Sequence, residues 1–237
     1  EKEEKKEPND WFFRQRAYPT GEIPADQRLA SIAQARALQR KAKAQGTWTQ
    51  AGPTNIPGRI TDIAVHQSDL QTIYAGAAAG GVFKSTDSGI TWTPIFDDQG
   101  SPSIGALAIH PSLPNVLYVG TGEANSSGDS YPGTGVYKTT DGGATWAHLG
   151  LDQSRHIGRI VIDPLDPQKV YVACLGTLFG TNPDRGVYKT IDGGASWTQV
   201  LFVSDSTSAV DIAMDPSNPN VLYAAMWERF RSAEQRK

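Results

Sequence analysis

Carboxylates and arginines gathered on polar, glycine-bounded stretches are the residues of this sequence with the means to do chemistry. Glu123, Asn125, Asp129 and Tyr131 share residues 123–133, and Asn182, Asp184 and Arg185 share residues 178–185. Arg59, Asp62, Arg159 and Asp211 complete the set. Such groups suit an anionic or sugar ligand, held by charge-assisted hydrogen bonds. Cleavage of a glycosidic bond needs two carboxylates facing each other across it. Glu123, Asp129 and Asp62 are candidates, yet no motif pairs them. A second set, Asp87, Asp141 and Asp192, recurs at spacings of 54 and 51 residues. Calcium would require several oxygen ligands at each. Every one of these aspartates instead stands alone beside glycines, which suits a carboxylate that accepts the unpaired N–H groups of a tight turn.

Other templates fail. The sequence has no phosphate-cradling Gly-Lys-Ser/Thr loop, no His-Glu-X-X-His and no Gly-X-Ser-X-Gly elbow. Its single cysteine, Cys174, lies in an apolar run, which excludes an intrachain disulfide and a cysteine metal site. Neither a metal nor a cofactor is expected. A formal net charge of -3 over 237 residues gives no electrostatic case for nucleic acid. No apolar run approaches the ~20 residues needed to insert into a membrane.

The elements that must position these residues are repeated. Four segments match: Ile63-Ala64-Val65-His66, Leu107-Ala108-Ile109-His110, Ile160-Val161-Ile162-Asp163 and Ile212-Ala213-Met214-Asp215. Each leads through a polar turn to a second strand, exemplified by Val116-Leu117-Tyr118-Val119. The exchange of His66 and His110 for Asp163 and Asp215 points to turn chemistry, not metal binding. Three repeats continue into a third strand, exemplified by Gly135-Val136-Tyr137-Lys138, and then a common turn. That turn carries Ser85, Asp87, Gly89 and Trp92; Thr139, Asp141, Gly143 and Trp146; and Thr190, Asp192, Gly194 and Trp197. The glycines supply positive φ, and each tryptophan offers a large surface to cover its hairpin.

The pattern Ser/Thr-X-Asp-X-Gly-X-Thr/Ser-Trp resembles the Asp-box (BNR) repeat of sialidases, sortilin-type receptors, xyloglucan-specific glucanases and a photosystem assembly factor. The wider frame, with Gly52-Pro53-Thr54-Asn55-Ile56-Pro57-Gly58-Arg59-Ile60 and Gly120-Thr121-Gly122-Glu123, is similar to large secreted bacterial proteins of the sortilin-like or "glycosyl hydrolase" BNR type. The resemblance covers about residues 47–229. It implies an all-β fold, a β-propeller of four-stranded blades whose Asp-box hairpins join third strand to fourth. About three blades are complete and a fourth is partial, as in part of a larger propeller, preceded by a short N-terminal helix. The glucanases place a catalytic aspartate where this chain has Ala78, and their second carboxylate lies on a second propeller. The Phe-Arg-Ile-Pro signature of sialidases is absent.

These readings divide the chain into a charged tail (1–10), an extension with a surface helix over about 24–45 (11–46), the blades (47–229) and a polar tail (230–237). Trp11, Phe12 and Phe13 are expected to dock on the outside of the main domain. In a propeller, loops joining fourth to first and second to third strands form the rim opposite the Asp-boxes, where ligands meet the fold. Asp62, Arg159 and Asp211 precede the first-strand triplets and approach the central channel, serving either a ligand or ion pairs between blades. The expected function is a secreted, cell-surface or periplasmic module that binds protein or glycan through this rim, with a sialidase-like or glucanase-like hydrolase as the alternative. Open blade faces favour association with another chain or with further blades.

Overall fold

The structure, a computed structural model, describes residues 11–19, 25–41, 58–127 and 130–229. The charged and polar tails, residues 47–57 and Asp129 lie outside that range. Two helices come first, α1 (Trp11–Ala17) and α2 (Ala25–Lys41), the second matching the helix expected over 24–45.

Three antiparallel four-stranded sheets follow, each a simple meander in chain order. The first is β1 (Ile60–Val65), β2 (Ile73–Ala77), β3 (Gly81–Ser85) and β4 (Thr93–Pro94). The second is β5 (Ile104–Ile109), β6 (Leu117–Thr121), β7 (Val136–Thr139) and β8 (Ala147–His148). The third is β9 (Ile157–Asp163), β10 (Asp166–Cys174), β11 (Gly186–Thr190) and β12 (Thr198–Leu201). A hairpin of β13 (Thr207–Asp215) and β14 (Asn218–Glu228) makes the fourth unit. The first strands β1, β5, β9 and β13 stand side by side, so the sheets fan out as blades of a partial β-propeller.

The core lies between blades, not within them, because successive side chains of a strand face opposite sheets. In β6, Leu117 and Val119 pack with Ala64, Tyr74, Val82 and Phe96 of the first blade, whereas Tyr118 packs with Ile160, Val170 and Val172 of the third. Glycines permit the close approach of inner strands. A Cβ on Gly105 would lie 2.0 Å from the Ile157 carbonyl oxygen, and one on Gly158 would lie 2.4 Å from that of Val210.

The repeated turn is a hydrogen-bond cage. Asp141 accepts from the Thr139 hydroxyl (2.6 Å), the Thr145 N–H (2.9 Å) and the Thr145 hydroxyl (2.6 Å), while the Gly143 N–H donates to Thr139 Oγ1 at 3.0 Å. Asp87 and Asp192 repeat the arrangement with Ser85 and Thr91 and with Thr190 and Ser196. Gly89, Gly143 and Gly194 have φ of 88°, 96° and 100°. Hydrogen bonds, led by that of Thr91, hold the Asp87 carboxyl down at about 2, and Asp141 and Asp192 are lowered likewise. The tryptophans do more than cover their own hairpins. Trp146 Nε1 donates to the Ile95 carbonyl and Trp197 Nε1 to that of Leu149, both at 2.8 Å, which staples each turn to the preceding blade. Asp141→Ala is therefore expected to lower the Tm by a few degrees in thermal unfolding, with Asp141→Asn recovering part of the loss because its amide oxygen still accepts.

Candidate functional site

Glu123 is the centre of the first cluster. It follows Gly122, whose positive φ turns the chain out of the second blade and whose missing Cβ leaves room for the Arg155 carbonyl. Its side chain is 1% exposed. The carboxylate accepts from Arg59 Nη2 at 2.7 Å, the Ser130 hydroxyl at 3.1 Å and Asn125 Nδ2 at 3.2 Å. Its backbone N–H donates to Ser103 Oγ (3.0 Å), and that hydroxyl donates in turn to the Tyr131 carbonyl at 3.0 Å. Glu123 thus spends its oxygens inside the protein and shapes the loop that presents Asn125 and Tyr131. Arg59 is half exposed, and Asn125 is exposed beside it.

His156 closes the cluster from below, and nothing in its sequence context singled it out. Its Nδ1 lies 2.8 Å from the Glu123 carbonyl oxygen, which accepts the Nδ1 proton. Complete burial, reinforced by Arg229, Arg185 and Arg155, pushes the imidazole down to about 3 despite that bond, so it is neutral near pH 7.

A second cluster runs across the inner strands. Arg159 Nε donates to Asp211 Oδ1 of the fourth unit at 2.9 Å, and its Nη1 lies 3.7 Å from Asp62 Oδ2 of the first blade. The guanidinium passes the second blade, where Ala106 occupies the equivalent position. Asp62 also accepts from the Leu107 and Ile63 N–H groups at 2.8 and 2.9 Å. These three residues form ion pairs that tie the blades together.

Arg185 stands apart and is buried. Its Nη1 donates to Ser208 Oγ at 2.6 Å and its Nη2 to the Thr177 and Gly180 carbonyls at 2.9 and 3.0 Å, so it organises a loop. Burial lowers its pKa. Ala78, just past β2, is buried, and its N–H donates to the Arg59 carbonyl at 2.9 Å. His66 and His110 accept backbone N–H groups of their own turns through Nδ1, as Asp163 and Asp215 do through Oδ1. Among the described residues no group of three or more His, Cys, Asp or Glu side chains could hold a metal ion. Cys174 is buried in the core and its thiol is pushed up to about 12 by that burial.

The helices approach this rim. Asp26 of α2 pairs with Arg155 at 2.8 Å, Arg36 donates to the Gln99 carbonyl, and the guanidinium of Arg16 in α1 sits 5.4 Å from the Tyr131 ring centroid. Asp26 and the loop residues Leu151, Asp152, Gln153, Arg155 and Asp184 enclose an open cleft of about 570 Å³. The side chains of Trp11, Phe12 and Phe13 fall outside the described part.

Blades fanned about inner strands, with polar loops gathered at one rim, define a β-propeller segment. The chain is 29% identical over 189 residues to a xyloglucanase of Paenibacillus sp., covering 73% of this chain and 17% of that protein. It is 27% identical over 157 residues to the xyloglucanase Xgh74A of Acetivibrio thermocellus, covering 60% of this chain and 18% of the relative. The chain therefore spans less than one-fifth of the length of these two relatives. The crystal structure of an ancestral GH74 enzyme superposes on 72% of this chain and 22% of its own with a TM-score of 0.56 at 24% identity, a likeness of fold. No family model matches the chain.

Proposed function

We propose that this chain is part of a glucanase-like propeller protein and that its rim holds a β-glucan of the xyloglucan type, the repeated turns being Asp-boxes that hold the blades. Two observations support this reading: the sequence relatives are xyloglucanases, and the rim presents Arg59, Asn125 and Tyr131 on a scaffold fixed by buried Glu123. A guanidinium, an amide and a phenol ring suit the hydroxyls and apolar faces of a neutral sugar chain. The chain supplies glycan contacts and not the acid–base pair, since Ala78 can neither give nor take a proton and Glu123 is enclosed. A polysaccharide ligand would suit a protein that acts outside the cytoplasm.

Calorimetric titration of the whole chain with a xyloglucan oligosaccharide tests the proposal. Arg59→Ala and Tyr131→Ala are each expected to weaken binding about tenfold, equivalent to about 1.4 kcal/mol. Unchanged affinity in both variants, or no binding by the parent, rejects the rim as the site. Release of reducing ends by the chain alone rejects its assignment as non-hydrolytic.

A further inference from the structure

We propose that α1 and α2 form an autoinhibitory strap over the rim, with Arg16 occupying the ring of Tyr131 on which a sugar would stack; the inference rests on the glycan reading above. The guanidinium of Arg16 sits over the Tyr131 ring, 5.4 Å from its centroid. A ring face offers one stacking position, to a cation or to the apolar face of a sugar, and cannot hold both. Two further contacts carry α2 past the same loops. Asp26 in its first turn pairs at 2.8 Å with Arg155, on the loop that joins the second blade to the third. Arg36, further along the helix, donates to the Gln99 carbonyl, on the loop that joins the first blade to the second. About ten residues of helix rise about 15 Å, so α2 bridges the rim of the second blade, which carries Asn125 and Tyr131. The anchor also touches the glycan-facing loop directly, since the Arg155 carbonyl accepts the Gly133 N–H at 2.6 Å.

The contacts that hold the strap are of a kind that comes apart while the blades stay together. Neither helix belongs to a sheet, so their departure breaks no strand pairing. Among the described residues neither packs along a strand. Of the α2 side chains described, Ile32 and Arg36 are partly covered, whereas Ala30, Ala33, Ala37 and Leu38 are exposed. Asp26 is 83% exposed, so its pair with Arg155 stands largely in water, where an ion pair contributes little. The blades, by contrast, are joined through buried apolar cores. A strap held by an exposed ion pair, one carbonyl bond and a cation–π contact is therefore closed in most molecules and open in a minority. Glycan affinity is then reduced by the fraction of molecules that are open.

Calorimetric titration with a xyloglucan oligosaccharide and hydrogen–deuterium exchange of the α2 amides, both on the whole chain, test this. Arg16→Ala and Asp26→Ala are each expected to tighten binding about fivefold, the loss of one weak contact. Both are expected to speed exchange over Ala25–Lys41 and to leave that of the blade strands unchanged. Saturating oligosaccharide is expected to speed exchange over the same helix in the parent. Variants that bind as the parent does overturn the proposal, and so do variants that bind more weakly, as they would if the helices were a wall of the site. If neither parent nor variants bind, the glycan reading fails; faster exchange in both variants then upholds the strap, and unchanged exchange overturns it.

Discussion

Gly105→Ala is expected to leave the chain unable to close its second blade against its third, with stability reduced by about 4 kcal/mol or more, in the range where a single substitution unfolds a small domain. The added Cβ would sit 2.0 Å from the Ile157 carbonyl oxygen and 2.4 Å from that of Gly122. Both are backbone atoms of strand or strand-end residues, so relief requires moving whole blades and not one rotamer. The first blade handles the same approach differently. Its counterpart Thr61 donates its hydroxyl to the Ile104 carbonyl at 2.9 Å, turning a close contact into a bond. Gly58→Ala is the control, because nothing lies within 4 Å of a Cβ there. Urea unfolding distinguishes the two: a Gly58 variant near the parent midpoint beside a Gly105 variant without a cooperative transition is the expected pair. A Gly105 variant with the parent's midpoint would mean that the blades are spaced more widely than described.

Such contacts mark the limit of what the sequence alone makes legible. The turn of Thr139, Asp141, Gly143 and Trp146 is readable because its chemistry is local: a carboxylate, a hydroxyl two residues before it and a positive-φ glycine form a closed unit within eight residues. The strands are readable because apolar triplets and aromatic seconds recur at the blade spacing. Partners across blades are not. Nothing local says that Trp146 reaches back to Ile95, 51 residues away, or that Arg59 meets Glu123, 64 residues away. Burial then redistributes the roles. Glu123 and Arg185 read as rim ligands from polarity, yet closure encloses both and turns them into anchors of loops. Arg159 reads as a channel residue and stands there, with its charge committed to Asp62 and Asp211. α1 escaped notice because seven residues carry too weak a periodic signal to distinguish a helix from a docking strand of aromatics.

Acidification supplies the other large effect, through His156. An unfolded histidine protonates near pH 6.5, whereas this one resists until about 3 because burial removes water and three arginines oppose the charge. The folded state therefore binds fewer protons than the unfolded state throughout that interval. His156 contributes its full stability above about pH 6.5, and the contribution falls by about 1.4 kcal/mol per pH unit as the pH drops toward 3. The turn carboxylates act in a lower window. With pKa values depressed below the unfolded aspartate value of about 3.9, and Asp87 held at about 2, their contribution is complete above pH 4 and is lost as the pH falls through the folded values. The two sources separate between pH 6 and 4, where His156 alone of these groups changes. His156→Gln keeps an N–H to donate to the Glu123 carbonyl but cannot take a proton. Urea unfolding at several pH values is expected to show the parent losing stability across this interval and the variant nearly flat, with both declining below pH 4. Equal slopes for the two would sink the assignment. The loss matters for the rim, since His156 binds the Glu123 carbonyl through Nδ1 and its backbone carbonyl accepts the Leu175 N–H at 2.9 Å, joining the second and third blades beneath the loop that carries Asn125 and Tyr131. A proton forced onto Nε2 leaves the Nδ1–H bond to Glu123 in place but buries a charge near Arg229, Arg185 and Arg155, and that cost falls on the scaffold that presents Arg59, Asn125 and Tyr131.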